Sequence, residues 1–236
     1  MVLKEKVAII TGASGALGRE TLRVFLAEGA KIAGCDVVEF EMTDLADAVA
    51  HGDCMIMRFD VTTERGATEM VAHTLNQFGR VDILVNVVGG WKGGVPLHRT
   101  SAEDWDGMFT LNLKSAFLCS RAVVPTMKRQ GSGRIVNVIS GAGKRGFPNL
   151  TGYCAAKFGV IGFSQALQLE VKDHGLSVTC VCPGPTLTRL GTSSNIYDPS
   201  IMLQPEDLAE AIVFVATQPQ RVIVPEMEVR PRAYLS

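Results

Sequence analysis

Three side chains in the second half of the chain have the types and spacing to move a proton: Ser140, Tyr153 and Lys157. Tyr153 and Lys157 stand at i and i+4, which puts both on one face of a helix. A phenol with a pKa of about 10 is a poor base at neutral pH, and a neighbouring ammonium favours the phenolate. Ser140 comes thirteen residues before Tyr153, directly after the apolar run Arg134–Ile139. Open α/β sheets bind ligands at such strand ends, where its hydroxyl suits a substrate carbonyl. Taken alone, a Tyr-x-x-x-Lys pair also fits the surface of an ordinary amphipathic helix.

A second constellation lies near the N-terminus, in Thr11-Gly-Ala-Ser-Gly-Ala-Leu-Gly18. Glycines between a strand and a helix let backbone N–H groups approach a pyrophosphate, which then sits at the positive end of the helix. The candidate residues of this turn are Gly12, Ser14, Gly15, Ala16, Leu17 and Gly18. Asp36 follows 24 positions after Gly12, near the end of the second apolar run. A carboxylate there accepts hydrogen bonds from both adenosine ribose hydroxyls and repels a 2′-phosphate. No Arg or Lys occupies positions 13–15 or 37, so the expected cofactor is NAD rather than NADP. The plainer reading is that Asp36 ends a strand in solvent. Asp60-Val61 is a weaker case: Asp60 meets the adenine amino group, or caps the helix that begins near Thr63.

The elements that must position these groups alternate along the chain. Strand-like runs are Lys6–Thr11, Lys31–Cys35, Met55–Phe59, Val81–Val85, Arg134–Ile139 and Ser177–Val181. Helical patterns cover Ala16–Glu28, Thr63–Phe78, Ala102–Arg129, Tyr153–His174 and Pro205–Thr217, the last with Pro205 in its first turn. Arg221–Arg230 alternates loosely enough for an edge strand. Continuous apolar strands separated by helices imply βαβ units and a doubly wound parallel sheet, an α/β fold with helices on both faces. Residues 1–236 show no repeat or linker that would divide them, so one domain is expected.

Composition removes several other classes. Lys+Arg is 23 and Asp+Glu 24, a balance without the basic footprint of a nucleic-acid binder. No apolar run approaches the ~18 residues that span a bilayer, and the first apolar stretch is too short for a signal-peptide core. Six scattered cysteines, with no Cys-x-x-Cys pair, suit reduced buried thiols and a cytoplasmic protein. The four histidines are far apart, and none has metal-ligand spacing.

With these residues in order, the chain resembles the compact branch of the short-chain dehydrogenase/reductase family over nearly its whole length. The resemblance is carried by Thr11-Gly12…Gly18, Asp36, Asp60-Val61, Asn86…Gly89, Asn112, Ser140, Tyr153-Cys-Ala-Ala-Lys157 and Pro183-Gly184…Thr188. It implies a Rossmann-type fold and an NAD-dependent oxidoreductase that interconverts a carbonyl and a secondary alcohol of a small molecule. Tyr153 would be the general acid/base. Lys157 would lower its pKa and bind the nicotinamide ribose, and Ser140 would orient the reacting oxygen. Asn112 would hold the water linking Lys157 to solvent. Asn86 and Gly89 join the cofactor-binding set, with Pro183, Gly184, Thr186 and Thr188 at the nicotinamide end. The long helices Ala102–Arg129 and Leu150–His174 would pair across interfaces of a homodimer or homotetramer.

The sequence departs from the family pattern in places. Ala16 replaces the middle glycine, and the usual Asn-Asn-Ala-Gly reads Asn86-Val-Val-Gly89. Gly89-Gly-Trp-Lys-Gly-Gly94 is similar to dihydropteridine reductases, where a flat pterin would stack on Trp91. Ser140 and Asn112 favour carbonyl chemistry instead. Residues 189–204 occupy the place of a short substrate lid. Lys144-Arg145 could touch an acidic substrate or lie in a solvated loop. A catalytically silent nucleotide-binding regulator is the remaining alternative, since function resides in the site and not in the fold.

Overall fold

The apolar runs become strands whose successive side chains feed two separate cores, one on each face of a single sheet. In a computed structural model that describes residues 1–91, 94–192 and 197–234, the elements are β1 (Val7–Thr11), α1 (Ala16–Ala27), β2 (Lys31–Asp36), α2 (Ala46–Ala50), β3 (Cys54–Arg58), α3 (Glu64–Phe78), β4 (Ile83–Asn86), α4 (Ala102–Phe109), α5 (Ser115–Gln130), β5 (Gly133–Val138), α6 (Thr151–Val171), β6 (Leu176–Pro183), α7 (Arg189–Thr192), α8 (Pro205–Ala216) and β7 (Glu226–Val229). The strand order is β3-β2-β1-β4-β5-β6-β7, and every pairing is parallel. Ala8, Ile10, Ile83 and Val136 face a core shared with Leu22 and Phe25 of α1 and Ile212 of α8. Ile9, Leu84 and Ile135 face the opposite core, with Met70 of α3 and Val123 and Met127 of α5. Burial on both faces is why these strands are continuously apolar instead of alternating.

The expected elements are present, with two differences. The single helix expected over Ala102–Arg129 is two helices, α4 and α5, joined through a π-helical turn at Thr110–Lys114. A π-turn inserts one residue into the helical ladder, and Asn112 within it is buried. The segment Thr43–Ala50, for which no helix was expected, forms a 3-10 turn and α2, because it is too short and polar to show a helical period. The loosely alternating C-terminal run does add an edge strand, β7, alongside β6.

Helix starts follow local chemistry. The Thr63 hydroxyl accepts from Gly66 N–H at the start of α3. Gln204 N–H donates to the Asp207 carboxylate at the start of α8, where Pro205 needs no partner. Strand order reverses between β1 and β4, so a crevice opens at their carboxyl ends, the place where doubly wound sheets bind ligands.

Candidate active site

The residues singled out from the sequence lie along the carboxyl-end rim of the sheet. Gly12 follows β1, Asp36 ends β2, Asp60 follows β3, Asn86 ends β4, Ser140 follows β5 and Pro183 ends β6. The glycine turn is built by close approach. Gly12 has φ +67°, and a Cβ on Gly18 would lie 2.1 Å from the Gly12 carbonyl oxygen. No side chain fits there without moving the first turn of α1. Ala16 opens α1 with its methyl exposed, so its departure from glycine meets no obstacle. Gly15 is the N-cap; no side chain caps α1 and no acidic residue stands in its first turn. Those N–H groups are therefore available to an anion. Leu17 is buried beneath the turn.

Asp36 belongs to the same turn. Its Oδ2 accepts from the Ser14 N–H at 3.0 Å and the Ser14 hydroxyl at 2.8 Å, and its Oδ1 accepts from Val37 N–H at 2.7 Å. Sequence reasoning missed Arg58, which stands opposite Asp36 in the β2–β3 register and donates from Nε to the Val37 carbonyl. Positions 13–15 and 37 carry no basic residue, and Arg58 is a neighbour of Asp36 only across the sheet. Asp60 accepts from the N–H and hydroxyl of Thr62, a local turn ahead of α3, while Val61 is buried.

At the other end, Ser140, Tyr153 and Lys157 come together. Tyr153 and Lys157 are 8% and 3% exposed, which matters because neither charge can be held by bulk water. Burial pushes the Tyr153 phenol up to about 12, and the neighbouring Ser140 side chain pulls it back. Burial pushes the Lys157 ammonium down to about 8. Lys157 Nζ donates to the Val138 carbonyl at 3.1 Å and sits 5.9 Å from the centre of the Tyr153 ring. The Ser140 hydroxyl also accepts from Ala142 N–H, which fixes its rotamer.

Gly89 lies against this group. A Cβ there would be 2.9 Å from both Lys157 Nζ and Asn112 Oδ1. Asn112 clamps the adjoining residue: its Oδ1 accepts from Gly90 N–H, and its Nδ2 donates to the Gly90 and Met108 carbonyls. Asn86 is placed differently, inside the sheet. It donates to Asn137 Oδ1, Asn137 donates to Ser164, and Asn86 Oδ1 is buried without a partner. The adjacent Val87, where the family pattern has a second asparagine, offers no side-chain donor to it.

Beyond β6, Gly184 packs against Pro231, where a Cβ would come within 2.9 Å of that ring. The Thr186 hydroxyl donates to the Gly184 carbonyl, and Thr188 Oγ1 accepts from Gly191 N–H. The expected lid contains α7 and returns through a bridge from Leu203 to Thr186; residues 193–196 of it lie outside the described residues, as do Lys92 and Gly93 of the glycine-rich segment. Trp91, Phe147 and Leu150 pack against Met108, Ala142, Tyr153 and Cys154, forming an apolar wall beside the phenol.

The arrangement suits a nicotinamide dinucleotide on observations of the chain itself. The turn at Gly12–Gly18 is a cradle that a side chain would fill, α1 begins uncapped, and Lys157 is a buried cation with no anionic partner among the described residues.

Comparison with known proteins agrees. The short chain dehydrogenase family profile matches residues 6–197. A 3-oxoacyl-[acyl-carrier-protein] reductase of Synechocystis sp. is 35% identical over 92% of this chain and 91% of its own length. An uncharacterized oxidoreductase of Staphylococcus aureus is 30% identical over 98% of this chain and 99% of its own. Among solved structures, levodione reductase superposes with TM-score 0.87 at 27% identity, covering 96% of each chain. The closed form of serine dehydrogenase complexed with NADP+ also gives 0.87, at 29% identity and 94% of each chain. With its parallel sheet, its glycine turn and a matching profile over most of its length, the chain belongs to the short chain dehydrogenase family.

Proposed function

We propose that the protein is a single-domain, NAD(H)-dependent enzyme that interconverts a carbonyl and a secondary alcohol of a small molecule. The observation that carries this reading is the meeting of Ser140, the buried Tyr153 phenol and the buried Lys157 ammonium, 5.9 Å from the centre of the phenol ring, at one end of the sheet. Ser140 holds the reacting oxygen beside the phenol, and Tyr153 exchanges its proton with that oxygen. At neutral pH a phenol raised towards 12 holds its proton, which it can give to a carbonyl oxygen. Lys157 favours the phenolate that remains after donation and offers its other N–H bonds to the hydroxyls of a ribose. A bound nicotinamide supplies or accepts the hydride. The turn at Gly12, Ser14, Gly15, Ala16, Leu17 and Gly18 holds the pyrophosphate, while Asp36, Asp60 and Val61 serve the adenosine end. Gly89, Asn86, Pro183, Gly184, Thr186 and Thr188 border the nicotinamide side. Asn112 keeps the loop at Gly89 and Gly90 open and stands where a proton relay from Lys157 would pass.

The preference for NAD rests on Asp36. A second reading, NADP, is favoured by Arg58, whose guanidinium lies on the strand beside Asp36 and suits a 2′-phosphate. The serine dehydrogenase that this chain resembles holds NADP+. Among the described residues no helix is long and apolar enough to cross a membrane, and six buried unpaired thiols suit a reducing cytoplasm. Phe117 of α5 and Phe158 of α6 are exposed on the helices assigned to a homodimer or homotetramer interface.

The test is fluorescence titration with NADH and NADPH, followed in the same cuvette by 3-oxoacyl thioesters, sugars, simple ketones and a quinonoid pterin. Preferential NADH binding with oxidation by a ketone or thioester supports the reading. Tighter NADPH binding reverses the cofactor assignment. Turnover of the pterin alone moves the protein to the dihydropteridine reductases. Cofactor binding with no turnover of any panel member favours the silent regulator.

A further inference from the structure

The loop after Ser140 carries two adjacent cations with different surroundings. Lys144 is neutralised: its Nζ lies 2.6 Å from the Glu226 carboxylate on β7. Arg145 is exposed, and no carboxylate among the described residues lies within ion-pair reach of it. Its guanidinium carbon stands 5.0 Å from the centre of the Phe147 ring. Phe147 is part of the apolar wall that includes Trp91 and Leu150 and packs on Tyr153, Met108 and Cys154. Gly94 lies close to this wall: a Cβ there would be 3.5 Å from Asn149 and 3.9 Å from the Trp91 ring. This stretch therefore links the phenol, through the half-buried Phe147 ring, to an exposed cation at the rim.

We propose that this surface selects carbonyl substrates with a flat apolar body and a carboxylate at the far end, which Arg145 binds. The proposal rests on the carbonyl–alcohol reading above and adds the substrate class to it. The chemistry of each part supports the assignment. An arginine stacked on an aromatic ring has its charge held by the ring face while its edge N–H groups stay free, the fork that matches a carboxylate. Stacking also removes part of the side-chain freedom that binding would otherwise have to restrict. Trp91, Phe147 and Leu150 are half-buried and offer apolar edges to a planar ring, and Ser140 and Tyr153 receive its carbonyl.

The test compares 4-acetylbenzoate and 3-acetylbenzoate with their methyl esters and with acetophenone, by steady-state oxidation of reduced cofactor. The same set is run with Arg145→Ala, Arg145→Glu and Lys144→Ala, with the melting temperature of each variant as a folding control. The expected result is a preference of about tenfold in kcat/KM for an acid over its ester, carried by KM. Arg145→Ala abolishes that preference, Arg145→Glu reverses it, and Lys144→Ala leaves it in place. Equal use of acid and ester by the unaltered enzyme, or a preference that survives Arg145→Ala, overturns the substrate class while the carbonyl–alcohol reading stands. If no ketone is reduced and none of the acids quenches tryptophan emission, both readings fall together.

Discussion

The two ends of the crevice are built on opposite electrostatic terms. At the end proposed for the adenosine the charged group, Asp36, is already tied into the fold: Ser14 and the chain after β2 supply donors to both of its oxygens. At the reacting end Lys157 is buried as deeply as a core residue, with one carbonyl for a partner, and burial pushes its charged form towards release. The first end recognises by shape that folding has already stabilised. The second keeps a cation where the fold by itself disfavours one, and such groups mark sites that a ligand or a reaction completes.

The sharpest way to break this contrast is Tyr153→Phe. It keeps the wall and removes the proton, so kcat should fall by about a thousandfold while cofactor titration stays near that of the unaltered protein. A parallel loss of cofactor affinity would mean that the two ends are not separable. Next comes Lys157→Met, which should cost about a hundredfold in activity and yet raise thermal stability at pH 7. The shift from 10.5 to about 8, less the lost bond to Val138, leaves a gain of about 2 kcal/mol. Because the folded protein binds that proton less tightly than the unfolded chain, the advantage fades as pH rises from about 8 to 10.5. Reduction rates should fall over the start of the same window, as Lys157 gives up its charge. Stability unchanged by the methionine would show that the ammonium is not strained.

Gly18→Ala sharpens the comparison from the other side. Its methyl would meet the Gly12 carbonyl at 2.1 Å, so denaturant unfolding should register a loss of about 1–3 kcal/mol, together with weaker binding of NADH. The smallest effect is expected from Asp36→Asn, which removes the charge and keeps the shape. The NADH/NADPH affinity ratio should shift towards NADPH by about fivefold, and the shift should vanish in an Arg58→Ala background if Arg58 is what receives the 2′-phosphate.

Much of this was legible in the sequence because the local rules and the global fold agree. Strands between two helical layers must be apolar throughout, so β1, β4 and β5 announced themselves, and a glycine turn between strand and helix has few other uses. The meeting of Ser140, Tyr153 and Lys157 was readable from the i, i+4 spacing of the last two and from the position of Ser140 at a strand end. What stayed hidden depends on contacts across the sheet or on departures from a regular helix. Arg58 meets Asp36 only through strand pairing. The π-turn at Asn112 leaves no mark on a helical period beyond one residue of drift. The difference between Lys144 and Arg145 is decided by Glu226, more than eighty residues later in the chain.

The strand order has a consequence for how the protein is made. β1, β2, β3 and β4 are all in place once residue 86 has emerged, and the glycine turn rests on Val88 just beyond. The phenol and its lysine require β5 and α6, and the rim beyond them requires β6, which ends at Pro183. The residues of the glycine turn thus leave the ribosome long before Tyr153 and Lys157, but α1, which carries that turn, is covered only when α8 packs on it. The early half therefore waits for the last helix, and both ends of the crevice are completed together.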